Sequence, residues 1–362
     1  GMFGVLDDLS KERTRGILES AKTNPDSKIG RAYAAFLDAA TVEARGMAPI
    51  QPWLAKIRAA DKAAMPALLA EADRNGVGTL FAGFVGQDDK NPDVYIYTMF
   101  QSGIGLPDRD YYLKGDDRFA KLRDAYVKHL EAVLTMAGEA NAGPRAAAIM
   151  AFETDIARAH WDKNDSSDAT KTYNKMTLAE LSALAPGFDF AALVRGVGVK
   201  ENSLIVAQPS AFTGMASAYA AAPVQVLRDQ LLVRSIDSFA NVLPDAVAKQ
   251  SFAFYGTTLT GTPEMQARWK RGVDFTTGIM GEAVGQDYVA KYFPPETKAA
   301  MDGLVKNVLA AMGRRIDALD WMQPQTKVKA RQKLANFTTK IGYPDRWKDY
   351  SALEIKADDL FG

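Results

Sequence analysis

The residues that could do chemistry are few. Only two histidines, His129 and His160, occur in 362 residues. A catalytic zinc takes three protein ligands, commonly two histidines at i and i+4 of one helix plus a carboxylate, and keeps one position open for water. Neither histidine lies in H-E-x-x-H, so that pattern is absent locally. The spacing leaves one composite arrangement open, in which both histidines join a carboxylate such as Glu153, one helical repeat before His160. Ordinary helix packing or surface placement of the two histidines is the competing reading. Zero cysteines exclude a disulfide framework, a thiolate nucleophile and any cysteine-ligated metal.

The remaining signatures point the same way. There is no G-x-x-x-x-G-K-[ST] phosphate loop, no G-x-S-x-G elbow and no G-x-G-x-x-G fingerprint. Gly76-Val77-Gly78, Gly103-Ile104-Gly105 and Gly196-Val197-Gly198 lack the third glycine and read as turns. With 44 acidic residues, no carboxylate pair can be singled out for acid-base work. No residue is therefore assigned as catalytic, as a metal ligand or as a substrate contact. Lys plus Arg equals Asp plus Glu at 44 each, so no global field favours nucleic acid or an anionic membrane. The stretch from Arg314 to Asp349 is locally basic, but it reads as a solvated helix face, because Trp347 and Tyr350 cluster in a turn and are not interleaved as a stacking platform.

Most of the elements that must position these groups are helices. From Asp302 to Met322 the residues Leu304, Val305, Val308, Leu309, Met312, Ile316, Leu319 and Met322 form one apolar stripe, which reads as a core element. Weaker helical patterns mark 3–22, 28–44, 63–74, 119–137, 145–161, 224–242, 245–258 and 264–292. Pro294-Pro295 and Gln323-Pro324 fall where first-turn prolines are tolerated. Strand signals are confined to 93–100, where Val94, Ile96 and Thr98 alternate with Tyr95, Tyr97 and Met99, and to the short apolar run 203–207. The expected fold is mainly α with one small β-hairpin or ribbon. The polar stretch 162–172 is the expected boundary between two sub-bundles. The charge-free run from Asn202 to Leu227 reads as buried and not membrane-spanning, because Pro209, Pro223, Gln208 and Gln225 interrupt it. Gly1 is not a natural initiator, and no basic segment followed by an apolar one opens the chain.

Three stretches resemble the neprilysin and endothelin-converting-enzyme family of zinc metallopeptidases. The first is Phe100-Gln101-Ser102-Gly103-Ile104-Gly105-Leu106-Pro107-Asp108-Arg109-Asp110-Tyr111-Tyr112-Leu113. The second is Tyr173-Asn174-Lys175-Met176-Thr177-Leu178, in which Thr177 is placed to cap a helix with Glu180 three residues on. The third runs from Arg268-Trp269 through Gly285-Gln286-Asp287-Tyr288-Val289, Asp320-Trp321-Met322 and Ala330-Arg331-Gln332-Lys333-Leu334 to Lys340-Ile341-Gly342-Tyr343-Pro344-Asp345-Arg346-Trp347. Read as residues, Leu106-Pro107, Tyr111-Tyr112 and Tyr343-Pro344 are turn and packing devices. Two departures stand out. Ser167-Asp168-Ala169 replaces a basic residue and proline, and Asp7 occupies the place where some members carry a substrate-carboxylate arginine, with Arg13 and Arg15 nearby.

The resemblance implies that residues 1–362 form the amino-terminal helical lid lobe of a neprilysin-like peptidase, bacterial in type. Its partners would be the catalytic zinc lobe of the same polypeptide, lying beyond Gly362, and peptide substrates; nucleic acid is not expected. Zinc would belong to the complete protein, and this segment alone is expected to be inactive. Export, for example to a periplasm, follows from the resemblance only. The alternative is a freestanding helical peptide-binding protein without hydrolytic activity; a further one is an enzyme with a private site around His129 or His160.

Overall fold

From its amino terminus the chain winds α1 (Met2–Ala21), α2 (Lys28–Leu37), α3 (Ala39–Arg45), α4 (Gln51–Ala59) and α5 (Met65–Arg74), in a computed structural model that describes residues 1–362. The strands β1 (Phe81–Asp88) and β2 (Asn91–Gln101) follow, then α6 (Asp110–Leu113), α7 (Asp117–Met136), α8 (Ala142–Ala159) and α9 (Lys163–Ser167). Next come β3 (Lys175–Thr177), α10 (Leu178–Leu184), α11 (Phe190–Gly196), β4 (Ser203–Val206), α12 (Pro209–Ala221), α13 (Val224–Phe239) and α14 (Asp245–Ser251), which continues as a π-helical segment, Phe252–Leu259. The last elements are α15 (Arg268–Tyr292), α16 (Pro295–Ala318) and α17 (Pro324–Ala335). The fold is mainly helical with a small sheet, and no helix is long and apolar enough to cross a membrane.

Local chemistry accounts for the element ends. Thr177 and Glu180 form the expected capping box on α10: the Thr177 hydroxyl accepts from the Glu180 N–H at 3.2 Å, and the Glu180 carboxylate accepts from the Thr177 N–H at 2.7 Å. Asp116 caps α7 and Ser27 caps α2 by the same logic. Pro295 and Pro324 sit in the first turns of α16 and α17, where a missing N–H costs no hydrogen bond.

The chain divides into two compact units, one formed by 1–38 with 266–360, the other by 39–265. The second unit is thus inserted in sequence between the two parts of the first. Its sheet has the order β1-β2-β4-β3, with β1–β2 and β3–β4 antiparallel and β2–β4 parallel through Tyr97↔Leu204, Thr98↔Ile205 and Met99↔Val206. On this sheet packs an aromatic cluster in which Phe81 lies 4.8 Å from the ring centroids of Phe188 and Phe212 and 4.9 Å from Phe190. A continuous core runs from Ile50, just before α4, and Leu54 within it to Val247 and Phe254.

The first unit has a much smaller interior: Leu18, Ile29, Ala32, Tyr33, Val273, Met280 and Val284. α1, α2 and α15 supply it. Gly30 lets α2 approach α1, since a Cβ there would stand 2.2 Å from the Ala21 carbonyl oxygen. Arg15 lies over the Trp269 ring at 4.5 Å and Arg13 over the Tyr292 ring at 4.7 Å, so both cations near the start of the chain are taken up by α15.

Several expectations are revised. The α16 stripe is not a core element: Leu304, Val308 and Met312 are 55%, 57% and 50% exposed, and only Gly313 and Ile316 of that helix are buried. Periodicity reports that a face is apolar, and it says nothing about what covers it. The predicted helix 28–44 breaks at Asp38, whose φ/ψ of −75°/73° is non-helical, and the helix expected over 264–292 starts at Arg268 and kinks at Met280 (φ −134°, ψ 43°). The hairpin is present, but β3 and β4 extend it to four strands. The stretch 162–172 lies inside the second unit, where α9 and a turn occupy it; the unit boundaries fall at 38/39 and 265/266. The charge-free run from Asn202 to Leu227 folds into β4, α12 and the start of α13, largely buried as expected.

Candidate functional site

β2 ends at Gln101 and delivers the loop 102–109 to the surface of the second unit. Gln101 fixes its start: its side-chain carbonyl accepts from the Trp161 N–H at 2.7 Å, and its amide donates to the Trp161 carbonyl at 3.0 Å. Gly103 takes a positive φ of 88°, and Gly105 passes so close to Tyr126 that a Cβ would lie 1.7 Å from the phenol oxygen. These two glycines are steric requirements of the loop.

Beneath the loop lies a polar knot centred on Glu153 of α8, which is fully buried. Tyr112 donates its hydroxyl to the Glu153 carboxylate at 2.6 Å, the Gly105 N–H donates to the same oxygen at 2.9 Å, and the Leu106 N–H donates to the Tyr112 oxygen at 2.9 Å. Gln230 of α13 bridges the Gly103 carbonyl (2.8 Å) and the other Glu153 oxygen (2.9 Å), with Arg234 3.6 Å from that oxygen. Burial, and then the Glu153 charge, push the Tyr112 hydroxyl well above the ordinary phenol pKa. Burial works against the Arg234 charge, yet Glu153 and the surrounding phenols hold its pKa above the ordinary arginine value. Both Glu153 oxygens accept hydrogen bonds and a cation faces them, which is the condition under which a buried carboxylate is tolerated.

Loop and α8 end together enclose a cleft of about 700 Å³, lined by Leu106, Pro107, Arg109, His160, Trp161 and Lys163 among others. Its charges are internally balanced: Lys163 pairs with Asp108 and Lys114 with Asp110, each at 2.8 Å. Arg109 donates to the His160 carbonyl at 2.7 Å. The His160 ring is 6% exposed and donates from Nε2 to the Ser102 carbonyl at 2.9 Å; burial lowers its pKa to about 4, so the ring is neutral at pH 7. A second pinned turn sits at the β1–β2 hairpin, where Asp88 accepts from Lys175 (2.8 Å) and Tyr173 (2.7 Å), and these donors hold its carboxyl well below the usual carboxylate range.

His129 is engaged elsewhere. Its Nε2 lies 3.0 Å from Asp237, its Nδ1 3.3 Å from Gln250, and its ring stacks on Phe254 at 5.0 Å. His129, His160 and Glu153 therefore have separate partner sets, and the composite ligand arrangement does not form. No group of three His, Cys, Asp or Glu side chains is placed to hold a metal ion, so the residues of this chain do not fit a zinc site. In the basic segment 314–349 Arg331 pairs with Asp317 and Trp347 stacks on Tyr343, while Asp345 accepts from Lys298 of α16 at 3.1 Å.

Residues 1–344 match peptidase family M13. The chain belongs to that family. Its M13 relatives include human neprilysin, 25% identical over 100% of this chain and 54% of the relative, and neprilysin-2 of Drosophila melanogaster, 29% identical over 76% of this chain and 39% of the relative. Among solved M13-like structures, a zinc metalloprotease of Mycobacterium tuberculosis in complex with an inhibitor superposes with a TM-score of 0.92 at 37% identity, over 100% of this chain and 56% of that one. PepO of Lactobacillus rhamnosis, at 19% identity and a TM-score of 0.83, shares the fold. The chain spans about half the length of the M13 relatives it matches. M13 is a family of zinc metallopeptidases, and the loop 100–113 that carried the resemblance is the one the Glu153 knot holds in place.

Sequence reasoning named Glu153 as a potential metal ligand and Tyr112 as a packing residue. It missed that the two are bonded to each other. The signal was present only in part: Tyr112 belongs to a recognisable motif, while Gln230 and Arg234 lie on an amphipathic helix with nothing local to mark them.

Proposed function

We propose that this chain is the helical, non-catalytic lobe of an M13 zinc metalloendopeptidase, capping the active-site chamber and restricting substrates to peptides or small proteins. The observation that carries this reading is the combination of complete coverage of this chain with 56% coverage of an inhibitor-bound zinc metalloprotease at a TM-score of 0.92. Zinc and the water-activating carboxylate would then come from the downstream part of the same polypeptide. The rigid, charge-balanced loop 100–113 suits a chamber wall, because its polar groups are already paired and would not hold one substrate side chain in preference to another.

The test is direct. Residues 1–362 alone should bind no stoichiometric zinc and hydrolyse no peptide, while the polypeptide continued to its natural stop should hydrolyse peptides in a chelator-sensitive way and spare folded proteins. Chelator-sensitive hydrolysis by residues 1–362 alone would overturn the proposal. An open reading frame stopping at Gly362 would favour the freestanding peptide-binding alternative.

A further inference from the structure

β1 is an edge of the four-stranded sheet, and part of its outer rim is open. On β2, the Met99 carbonyl accepts from Ala207 and the Gln101 N–H donates to Gln208, so both residues turn their backbone away from β1. Alternation then leaves Thr98 and Phe100 to bond Phe84 and Ala82, and points the backbone groups of Phe81, Gly83 and Val85 outward. The Phe81 carbonyl accepts from the Thr79 hydroxyl at 2.9 Å, and the ladder shifts register between Gln87 and Asp88. Between these two stops the outward N–H and C=O groups of Gly83 and Val85 have no hydrogen-bond partner in this chain. The side chains here are apolar and uncovered: Phe84 is 56%, Val85 60% and Tyr95 74% exposed.

Edge strands are ordinarily blunted by lysine, proline or another charge. Residues 81–87 carry none, and the one charge of β1, Asp88, is buried and held by Lys175 and Tyr173. We infer that β1 is the pairing edge of a two-fold dimer, in which it lies antiparallel to β1 of a second copy of this chain. Three observations choose that occupant. The open groups are symmetric about Phe84, so a two-fold axis there sets Gly83 of each copy opposite Val85 of the other and satisfies all of them. The edge is neutral over 81–87, so two copies approach without repulsion and no oppositely charged partner is called for. Apolar residues are exposed on both faces, Phe84 with Phe100 at 6.2 Å on one and Val85 with Tyr95 on the other. A second hairpin extends both faces, whereas a lone extended peptide covers only the rim. The register also gives Val85 a seat: the Tyr97 phenol lies over Gly83, where a Cβ would stand 2.4 Å from its oxygen, so Val85 of the second copy packs on that ring.

One strand edge with a few large side chains from each copy buries less than about 1,200 Å², which places the dimer in the transient class. The polypeptide continued to its natural stop should therefore pass from monomer to dimer in sedimentation velocity between about 1 and 100 μM. Over the same range, amide exchange in the peptide covering 81–88 should slow about tenfold or more. Val85→Lys, at an exposed site, should abolish both changes and leave the urea midpoint where it was. Phe84→Cys offers a second route that does not depend on that variant: mild oxidation should give a disulfide-linked dimer mapped to position 84 of both copies. Leu184→Cys, exposed elsewhere in the same unit, should give none. A monomer with fast exchange at every concentration would overturn the inference. So would a monomer with slow exchange throughout, which would assign the edge to the rest of the polypeptide. A dimer indifferent to Val85→Lys would place the interface elsewhere, and exchange slowed only by an added extended apolar peptide would assign the edge to peptide; either result overturns the two-fold pairing.

Discussion

The two units solve the problem of burial differently. In the second, residues 39–265, helices and a four-stranded sheet share one large core, aromatic rings interlock, and both oxygens of the buried Glu153 carboxylate accept hydrogen bonds, although Phe84, Val85 and Tyr95 of the β1–β2 hairpin stay exposed. In the first, the core is a smaller cluster around Leu18, Tyr33 and Met280, and α1 and α16 present apolar stripes to solvent. The same binary pattern of apolar and polar residues runs through both. The difference teaches that pattern sets which face of a helix is apolar, whereas burial depends on whether another element packs on that face.

The sharpest way to break that comparison is to remove a charge that only a closed interior can hold. Glu153→Ala removes the carboxylate facing Arg234 and the acceptor of the Tyr112 hydroxyl under the loop, and should cost about 3–5 kcal/mol in urea unfolding. A loss under 1 kcal/mol would mean that water reaches the knot. Next, the same truncation should behave oppositely in the two units. Leu181→Ala, at a fully buried site of the second unit, should cost about 2–5 kcal/mol, whereas Leu304→Ala on the α16 stripe should change stability by less than about 0.5 kcal/mol in this segment. Equal losses would erase the distinction between the units.

Acid should also act on the second unit. The folded-state pKa of His160, about 4, lies below its ordinary value of 6.5, so as pH falls the unfolded chain takes up the proton first. The stability tied to its neutral ring is therefore full above about pH 6.5, declines between 6.5 and 4, and levels off below, a total of about 3 kcal/mol. His160→Gln should flatten that part of the pH profile of urea unfolding; an unchanged profile would show that the ring is not held neutral. The smallest effect is at the α10 cap, where Thr177→Ala should cost about 1 kcal/mol by thermal or urea unfolding.

Legibility in the sequence followed the range of the interactions involved. The capping box at Thr177 and Glu180, the strand at 93–100 and most long helices were readable because their signals are local. Strand β1 was not, since Gly83 and Gly86 interrupt its alternation and only pairing with β2 makes it a strand. The break at Asp38 was hidden because apolar spacing continues across it. The cleft loop was recognisable as a motif, but its restraint by Glu153 joins residues from α6, α8 and α13, and no one-dimensional pattern records that convergence. On α16 the error came from treating an apolar face as evidence of its own burial.

The insertion of the second unit within the first has a consequence for synthesis. α1 and α2 leave the ribosome with their apolar faces formed, but Val273, Met280 and Val284, which complete their core, are encoded beyond residue 265. At a translation speed of about 5–20 residues per second, those helices wait roughly 10–45 s for their partners. The inserted unit, whose core is contiguous in sequence, can fold during that interval. The nascent chain thus carries a finished globule between the growing end and two unsatisfied helices, and those helices are where a holdase chaperone would engage it.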